Sequence, residues 1–204
     1  FVMFSTQLSN PPDARNSLIQ GRVALLNSFV DDFFGFAQTA GAISGYSAFQ
    51  GVISDAGSRN SFYPNFEKDY AYCVKTGNLT ASKVCPNMVN KSLQYFLSTF
   101  SSIAETEMKI RAVYSINNIT VVESDAFSAT VYANITLNIS DNFAAIRETR
   151  IISSNVKYKN LEDPIYLINS SGAYRQKINP TNITKVLNWS QADLQQLWSK
   201  HEYR

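Results

Sequence analysis

The sequence has little of what most enzymes use for chemistry. Its 204 residues include one histidine, two cysteines and three methionines. It contains no glycine-rich nucleotide motif, no phosphate-binding loop and no H-E-x-x-H metal motif. His201 lies in a predicted terminal helix, where no neighbouring residue suggests a catalytic base. We therefore expect no enzymatic activity, no metal site and no cofactor.

Charge is also scarce. Charged residues make up 17% of the chain, against about a quarter in an ordinary soluble domain. The net charge is +2 without a long basic run, which argues against nucleic acid as the main partner. Hydrophobic residues reach 45% and aromatic residues 13%, enough for a packed core, which argues against global disorder.

N-glycosylation sequons are abundant by contrast. The chain has 19 asparagines and 36 serines and threonines, so chance predicts about three sequons, and eight occur. All of them follow residue 77; their asparagines are Asn78, Asn90, Asn118, Asn134, Asn138, Asn169, Asn182 and Asn188. Because a glycan must project into solvent, this pattern predicts an extracellular or cell-surface protein with a glycosylated C-terminal part. The alternative is a polar surface rich in Asn, Ser and Thr that carries no sugar.

The two cysteines are separated by eleven residues. Cys73 and Cys85 lack the C-x-x-C spacing of redox and zinc motifs. Beside the sequons, the pair predicts a disulfide formed in an oxidising compartment. Two buried free thiols are the alternative.

The chain opens with a short apolar run that turns polar at Ser5. Four apolar residues are far fewer than the roughly twenty that span a bilayer. A removed signal peptide and a membrane anchor upstream of Phe1 both remain open.

A long helix is predicted from about Ala14 to Ile53. Pro11, Pro12 and Asp13 form its start, and apolar residues recur at spacings of three and four in two adjacent stripes. This apolar surface is wider than one neighbour needs, so we expect contacts between subunits. The residues expected at that interface are Leu18, Leu25, Phe29, Phe33, Phe36, Gly41 and Gly45. The glycines indicate either close backbone approach or a break in the helix after Phe36.

The remaining chain alternates between helical and strand patterns. Residues 57–85 look irregular, and a second helix is predicted from about Pro86 to Glu107, burying Leu93, Phe96, Leu97, Phe100 and Ile103. Strands are predicted at 110–122, 127–139, 143–158 and 165–168, followed by a short helix from Ser190. The fold class is therefore α+β, with an antiparallel sheet of about four strands. Residues 1–57 form the helical segment and residues 58–204 the head.

The strand at 127–139 has the clearest alternation. Val131, Ala133, Ile135, Leu137 and Ile139 share one face, and Tyr132, Asn134, Thr136, Asn138 and Ser140 share the other. Two sequon asparagines are thus predicted to point away from the core, as glycans require.

Acidic pairs and tyrosines are the other candidate site residues. Adjacent residues on a helix diverge, so Asp31 and Asp32 indicate a solvent-facing or inter-subunit polar seam, while Glu162-Asp163 precedes a proline and indicates a turn. Tyr63, Tyr70 and Tyr72 could form a recognition patch or pack in the core around the cysteine loop.

Two segments carry a family resemblance. One is Cys73–Cys85, with Gly77-Asn78 inside and a helix after it; the other is Val156-Lys-Tyr-Lys-Asn-Leu-Glu-Asp-Pro-Ile-Tyr166. Together they resemble archaeal cell-surface proteins of pilin-like layout, over residues 70–167. The chain departs from a type IV pilin at Ser5, where a glutamate within a longer apolar run is usual.

The resemblance implies a non-enzymatic surface protein. We expect a structural subunit of an archaeal surface filament, buried through its N-terminal helix, with itself or related subunits as partners. The alternative is a membrane-tethered ectodomain that acts in adhesion or partner binding.

Overall fold

The computed structural model describes residues 12–79, 83–125, 127–142, 144–170 and 176–178, and it has an α+β fold, as predicted. The elements are α1 (Pro12–Arg59), α2 (Phe66–Thr76), α3 (Leu93–Ile103), a π-helical turn (Ala104–Met108), β1 (Arg111–Asp125), β2 (Ser128–Ser140), β3 (Ala145–Lys157) and α4 (Pro164–Asn169). Helices α1, α2 and α3 contact the sheet, and all its strands are antiparallel.

The sheet is a meander in the order β1-β2-β3. Strand β2 lies in the middle and alternates as predicted, since its apolar positions are buried against the helices. One hydrophobic core includes residues of α1, α2, α3 and all three strands, so residues on both sides of residue 57 contribute to it. The residues of β2 that face this core are Val131, Ala133, Ile135, Leu137 and Ile139.

Helix α1 runs unbroken for 48 residues. It begins at Pro12, where a missing N–H costs nothing, and ends at Arg59 before Asn60, which has a left-handed φ of 52°. The predicted alternative of a break after Phe36 is wrong.

Close backbone approach explains two glycines of α1. A Cβ on Gly41 would overlap Ser154 of β3, and one on Gly45 would overlap Val156. At this contact Ser154 Oγ donates to the Gln38 carbonyl at 2.7 Å, and Tyr70 Oη donates to the Gly45 carbonyl at 3.0 Å. Helix α1 is therefore joined by hydrogen bonds to β3 through Ser154 and to α2 through Tyr70, close to where its backbone approaches the strand.

A second side of α1 packs on α3 through aromatic rings. The ring of Phe100 lies 5.6 Å from Phe29, 5.8 Å from Phe33 and 4.8 Å from Phe36, all within the range of favourable aromatic pairs. The two apolar stripes thus have two partners within the chain, the sheet and α3.

The second helix begins later than predicted. Asn87 and Asn90 have left-handed φ values of 62° and 57°, which a helix does not accommodate. Helix α3 starts after Ser92, whose side chain accepts a hydrogen bond from the Tyr95 amide at 3.2 Å. Leu93 and Leu97 are buried as expected and Phe96 and Phe100 partly so, but Ile103 is exposed.

Helix α2 lies in the stretch predicted to be irregular. The Asn65 side chain caps its start by accepting from the Lys68 amide at 3.2 Å, and Gly77 ends it with a φ of 79°. The cap residue Asn65 and Gly77 were local helix signals that the prediction of an irregular stretch missed.

The predicted fourth strand is wrong, because residues 164–169 form helix α4. Pro164 suits the first helical turn, and so short an apolar run does not distinguish strand from helix by its pattern. Leu167 packs with Ile53 and Leu161 in a small second cluster. The helix predicted from Ser190 lies outside the described residues.

The α1–β3 contact gives a matched pair of substitutions. We expect Gly45→Ala to lower the free energy of unfolding by about 1–3 kcal/mol, because the added methyl overpacks Val156. Gly35 lies on the same helix with nothing within 4 Å of an added Cβ, so Gly35→Ala should be neutral or stabilise by up to about 1 kcal/mol. Urea unfolding of both variants measures this. Equal effects would contradict a tight contact at Gly45.

Candidate functional site: the helical arm and the outer sheet face

Most of the predicted subunit interface is buried inside the chain. Phe29 and Phe33 are 3% and 0% exposed, and Gly41 and Gly45 lie against β3. These four residues therefore do not form the predicted interface between subunits. The sequence pattern correctly indicated that these residues are buried, but they are buried by the sheet and α3 of the same chain.

The other three predicted interface residues differ from one another. Phe36 is half-buried and stacks on Phe100. Leu25 is exposed, and the Leu18 side chain lies outside what the structure describes. Among the seven predicted interface residues, Leu25 therefore has an exposed side chain that a partner can contact.

Leu25 belongs to an exposed segment of α1, Asn16–Leu25, which we call the arm. Its described side chains are exposed, except that Arg22 is half-buried. The arm includes Ile19 and Val23, which are 38% and 37% exposed. At spacings of four and three they continue directly into Leu26, which is fully buried. The same stripe of apolar residues is therefore exposed in the arm and buried in the core from Leu26 onward.

A charged group joins α1 to the sheet beyond the arm. Arg150 of β3 binds Asp31 at 2.8 Å and Glu148 at 2.5 Å, and its guanidinium lies 4.8 Å from the Phe34 ring centre. The hydrogen bonds that Arg150 donates to Glu148 and then to Asp31 raise its pKa. Asp31 thus makes a polar contact with its own chain, and Asp32 is exposed.

The outer face of the sheet is the second candidate surface. Its central side chains are uncharged and mostly exposed, as expected for residues that alternate with the buried set. They are Ser115, Asn118 and Thr120 of β1, Tyr132, Asn134, Thr136 and Asn138 of β2, and Thr149, Ile151 and Ser153 of β3.

A β-bulge organises this face. Between Ile116 and Asn118 the pairing with β2 shifts by one residue, so Asn117 is the extra residue of β1. Asn117 Nδ2 donates to Asn134 Oδ1 at 3.2 Å and to Thr136 Oγ1 at 2.9 Å. Thr136 Oγ1 also lies 2.9 Å from Thr149 Oγ1, so the hydrogen bonds cross all three strands.

The sequons differ in exposure. Asn90, Asn118, Asn138 and Asn169 are exposed, whereas Asn78 and Asn134 are half-buried. Asn182 and Asn188 lie outside the described residues. As predicted, Asn134 and Asn138 point away from the core, and Asn118 joins them on the sheet.

The predicted disulfide is present. Cys73 and Cys85 are bonded, and both are completely buried. The bond ties the loop after α2 to that helix, and the loop also lies against α1, where a Cβ on Gly51 would overlap the Pro86 carbonyl.

Asp55 of α1 holds the same loop by charge. Its side chain is 2% exposed and binds Arg59 at 2.7 Å, Lys83 of the loop, and Tyr63 Oη at 2.5 Å. Burial alone would raise the pKa of Asp55, but hydrogen bonds from Lys83 and Tyr63 and the nearby positive charges outweigh it and lower the pKa. Burial and the hydrogen bond to Asp55 raise the pKa of Tyr63. Since these groups bind one another, the cluster is a structural clamp.

The predicted tyrosine patch is not formed. Tyr70 is buried, Tyr63 binds Asp55, and Tyr72 alone of the three is exposed. Tyr72 lines a cleft of about 430 Å³ between α2 and the edge of β1, together with Asn65, Lys68, Lys75 and Asn118.

Other site classes are unsupported in the described ranges. No group of three or more His, Cys, Asp or Glu side chains is placed to hold a metal ion there. No described helix combines the length and apolar character needed to cross a membrane. His201 lies outside the described residues.

Comparisons of this chain with protein-family models, curated proteins and solved structures found no significant match. The pilin-like resemblance therefore rests on the residues quoted above.

The Asp55 clamp predicts an acid-sensitive contribution to stability. Because its folded pKa lies below 3.8, its contribution is fully present above about pH 4 and is lost as pH falls through the folded value. We expect Asp55→Asn to cost about 1–3 kcal/mol at pH 7, and the difference from wild type to shrink below pH 4. Asp32→Asn, an exposed change on the same helix, is the control. A difference independent of pH, measured by urea unfolding from pH 7 to pH 3, would contradict the clamp.

Proposed function

We propose that this protein is an extracellular structural subunit of an archaeal surface filament or pilus-like assembly, joined to its neighbours through the arm of α1. The observation that carries the proposal is the apolar stripe that continues from Leu26 outward to Val23 and Ile19. Inside the head this stripe is covered by the sheet and α3. Apolar residues at the same spacing on the exposed turns are favourably covered by a neighbouring subunit.

The division of the molecule supports this role. The arm rises by about 1.5 Å per residue, so its ten residues extend about 15 Å from the first buried turn. The Asp55 clamp and the close contact of α1 with β3 hold the head to the same helix. A subunit built in this way transmits force from the arm to the head through one continuous helix.

The sheet supports the outward orientation. Its outer face is mostly exposed and carries three sequons, as suits a surface that faces solvent in an assembly. An arm buried among neighbours and a sugar-bearing face turned outward are compatible, because they belong to different elements.

The tethered ectodomain is the second candidate, and the exposed Tyr72 in its cleft favours a partner-binding role. The two candidates differ in assembly. Electron microscopy and intact-mass analysis of native protein from its source cells distinguish them: ordered filaments support the first, and dispersed membrane-bound particles support the second.

Substitutions in the arm test the proposed interface. We expect Val23→Glu to abolish filaments, because assembly would bury an unpaired carboxylate. The melting temperature of the unassembled, full-length monomer should not fall, since Val23 is exposed within the single chain.

Gln20→Glu is the matched control. It adds the same charge to an exposed polar position of the arm and should leave filaments intact. Filaments formed by Val23→Glu at wild-type density, seen by electron microscopy, would overturn the role of the arm.

A further inference from the structure

Of the two sequons that face each other across β1 and β2, one is displayed and the other is covered. Asn118 and Asn134 are direct partners in the strand register and are followed by the same residues, Ile and Thr. Sequence alone gives no reason for a transferase to distinguish them. Their surroundings in the folded sheet differ.

The Asn134 sequon is covered by the bulge residue. Asn117 Nδ2 donates to the amide oxygen of Asn134 and to the hydroxyl of Thr136, the third residue of that sequon. Thr136 is only 7% exposed and also pairs with Thr149. The side-chain amide of Asn134 and the hydroxyl of Thr136, the two groups that define this sequon, therefore both make hydrogen bonds within the sheet.

The Asn118 sequon is displayed by the same bulge. Asn118 and its third residue, Thr120, are both exposed. After the extra residue Asn118 is paired with Asn134, and it also lines the cleft between β1 and α2.

This cleft has the chemistry of a sugar-binding surface. Tyr72 offers an exposed aromatic ring on which the C–H face of a sugar can stack, and Lys68 and Asn65 offer hydrogen-bond donors for hydroxyl groups. Its volume of about 430 Å³ is within the range of small-ligand sites.

We propose that Asn118 is glycosylated on the folded head while Asn134 is not, and that the α2–β1 cleft holds the first sugars of the Asn118 glycan. The transfer forms a bond between the sugar C1 and Asn118 Nδ2 and breaks the bond from C1 to the phosphate oxygen of a lipid-linked oligosaccharide donor. The lipid phosphate leaves with the bonding electron pair, and the amide proton passes to a base of the transferase. The inference rests on the extracellular location in the proposed function and is independent of assembly.

Intact-mass and glycopeptide analysis of protein from the source cells tests the choice of site. We expect Asn118→Gln to lower the mass by one glycan and Asn134→Gln, the matched control, to leave glycan mass unchanged. A glycan on Asn134 of the wild-type protein, or a bare Asn118, would overturn the proposal. Filaments without a glycan at Asn118 would overturn it while leaving the proposed function intact.

Asn117→Ala tests whether the bulge residue is the cover. It removes both donors but preserves the two sequons, so we expect a glycan to appear on Asn134 in a fraction of molecules. An Asn134 that stays bare in a folded Asn117→Ala protein would overturn the role given to Asn117.

Tyr72→Ala tests the cleft through a double-mutant cycle. We expect Asn118→Gln to lower the melting temperature by about 2–4 °C when Tyr72 is present and to have no effect in Tyr72→Ala. Additive shifts in the double variant would show that the glycan does not contact the cleft and would overturn that part of the proposal.

Discussion

The contact between α1 and β3 determines how the rest of the head is arranged. At Gly41 and Gly45 the helix backbone approaches the strand so closely that a methyl group would overlap Ser154 or Val156. The contact is also polar, since Ser154 of β3 donates a hydrogen bond to a carbonyl of the helix, and Tyr70 of the neighbouring α2 donates to another. A helix carbonyl that already accepts one hydrogen bond has a second lone pair, and these side-chain donors use it. The extra hydrogen bonds hold the helix against rotation and sliding. The inward face of the sheet and the aromatic side of α3 can then pack on defined sides of one helix.

Within the described residues, the helices pack on one face of the sheet, and the other face is mostly exposed and can take a different role. The alternation of β2 turns its apolar residues toward α1 and its polar residues toward solvent. The same strand therefore supplies side chains to both the core and the outer face. Asn117 is an extra residue in β1, so β2 pairs irregularly with β1 there, whereas its pairing with β3 is regular. Core packing explains why this face is polar, and the bulge explains why its sequons differ.

The sequence predicted best where one periodic pattern had one physical cause. The alternation in β2 correctly predicted the strand faces, and the two cysteines beside the sequons correctly predicted the disulfide. It predicted worst where a local rule and a tertiary contact compete. Gly41 and Gly45 disfavour a helix locally, yet the approach of β3 requires them there. The run after Pro164 has strand-like composition but is too short for its pattern to decide.

Other features had no accessible signal in the sequence. The bulge at Asn117 depends on the register with β2, and a single strand does not specify which of its residues is left unpaired. Lys83 and Asp55 are 28 residues apart, so their ion pair follows from the docking of the disulfide loop and not from a motif. Residues of the candidate site that depend on register or docking therefore required the structure.

The corrected interface changes what the long apolar stripe means. Periodicity shows that a helix face is covered, but it does not show whether the cover belongs to the same chain. In α1 both situations occur along one stripe: Leu26 and Phe33 are covered by the head, whereas Ile19 and Val23 are not covered to the same extent. The transition lies within a single turn, between Val23 and Leu26. A helix that keeps its apolar spacing beyond the end of its own core is best explained by a second surface that continues where the first ends, and this argument, more than the width of the stripe, supports assembly through the arm.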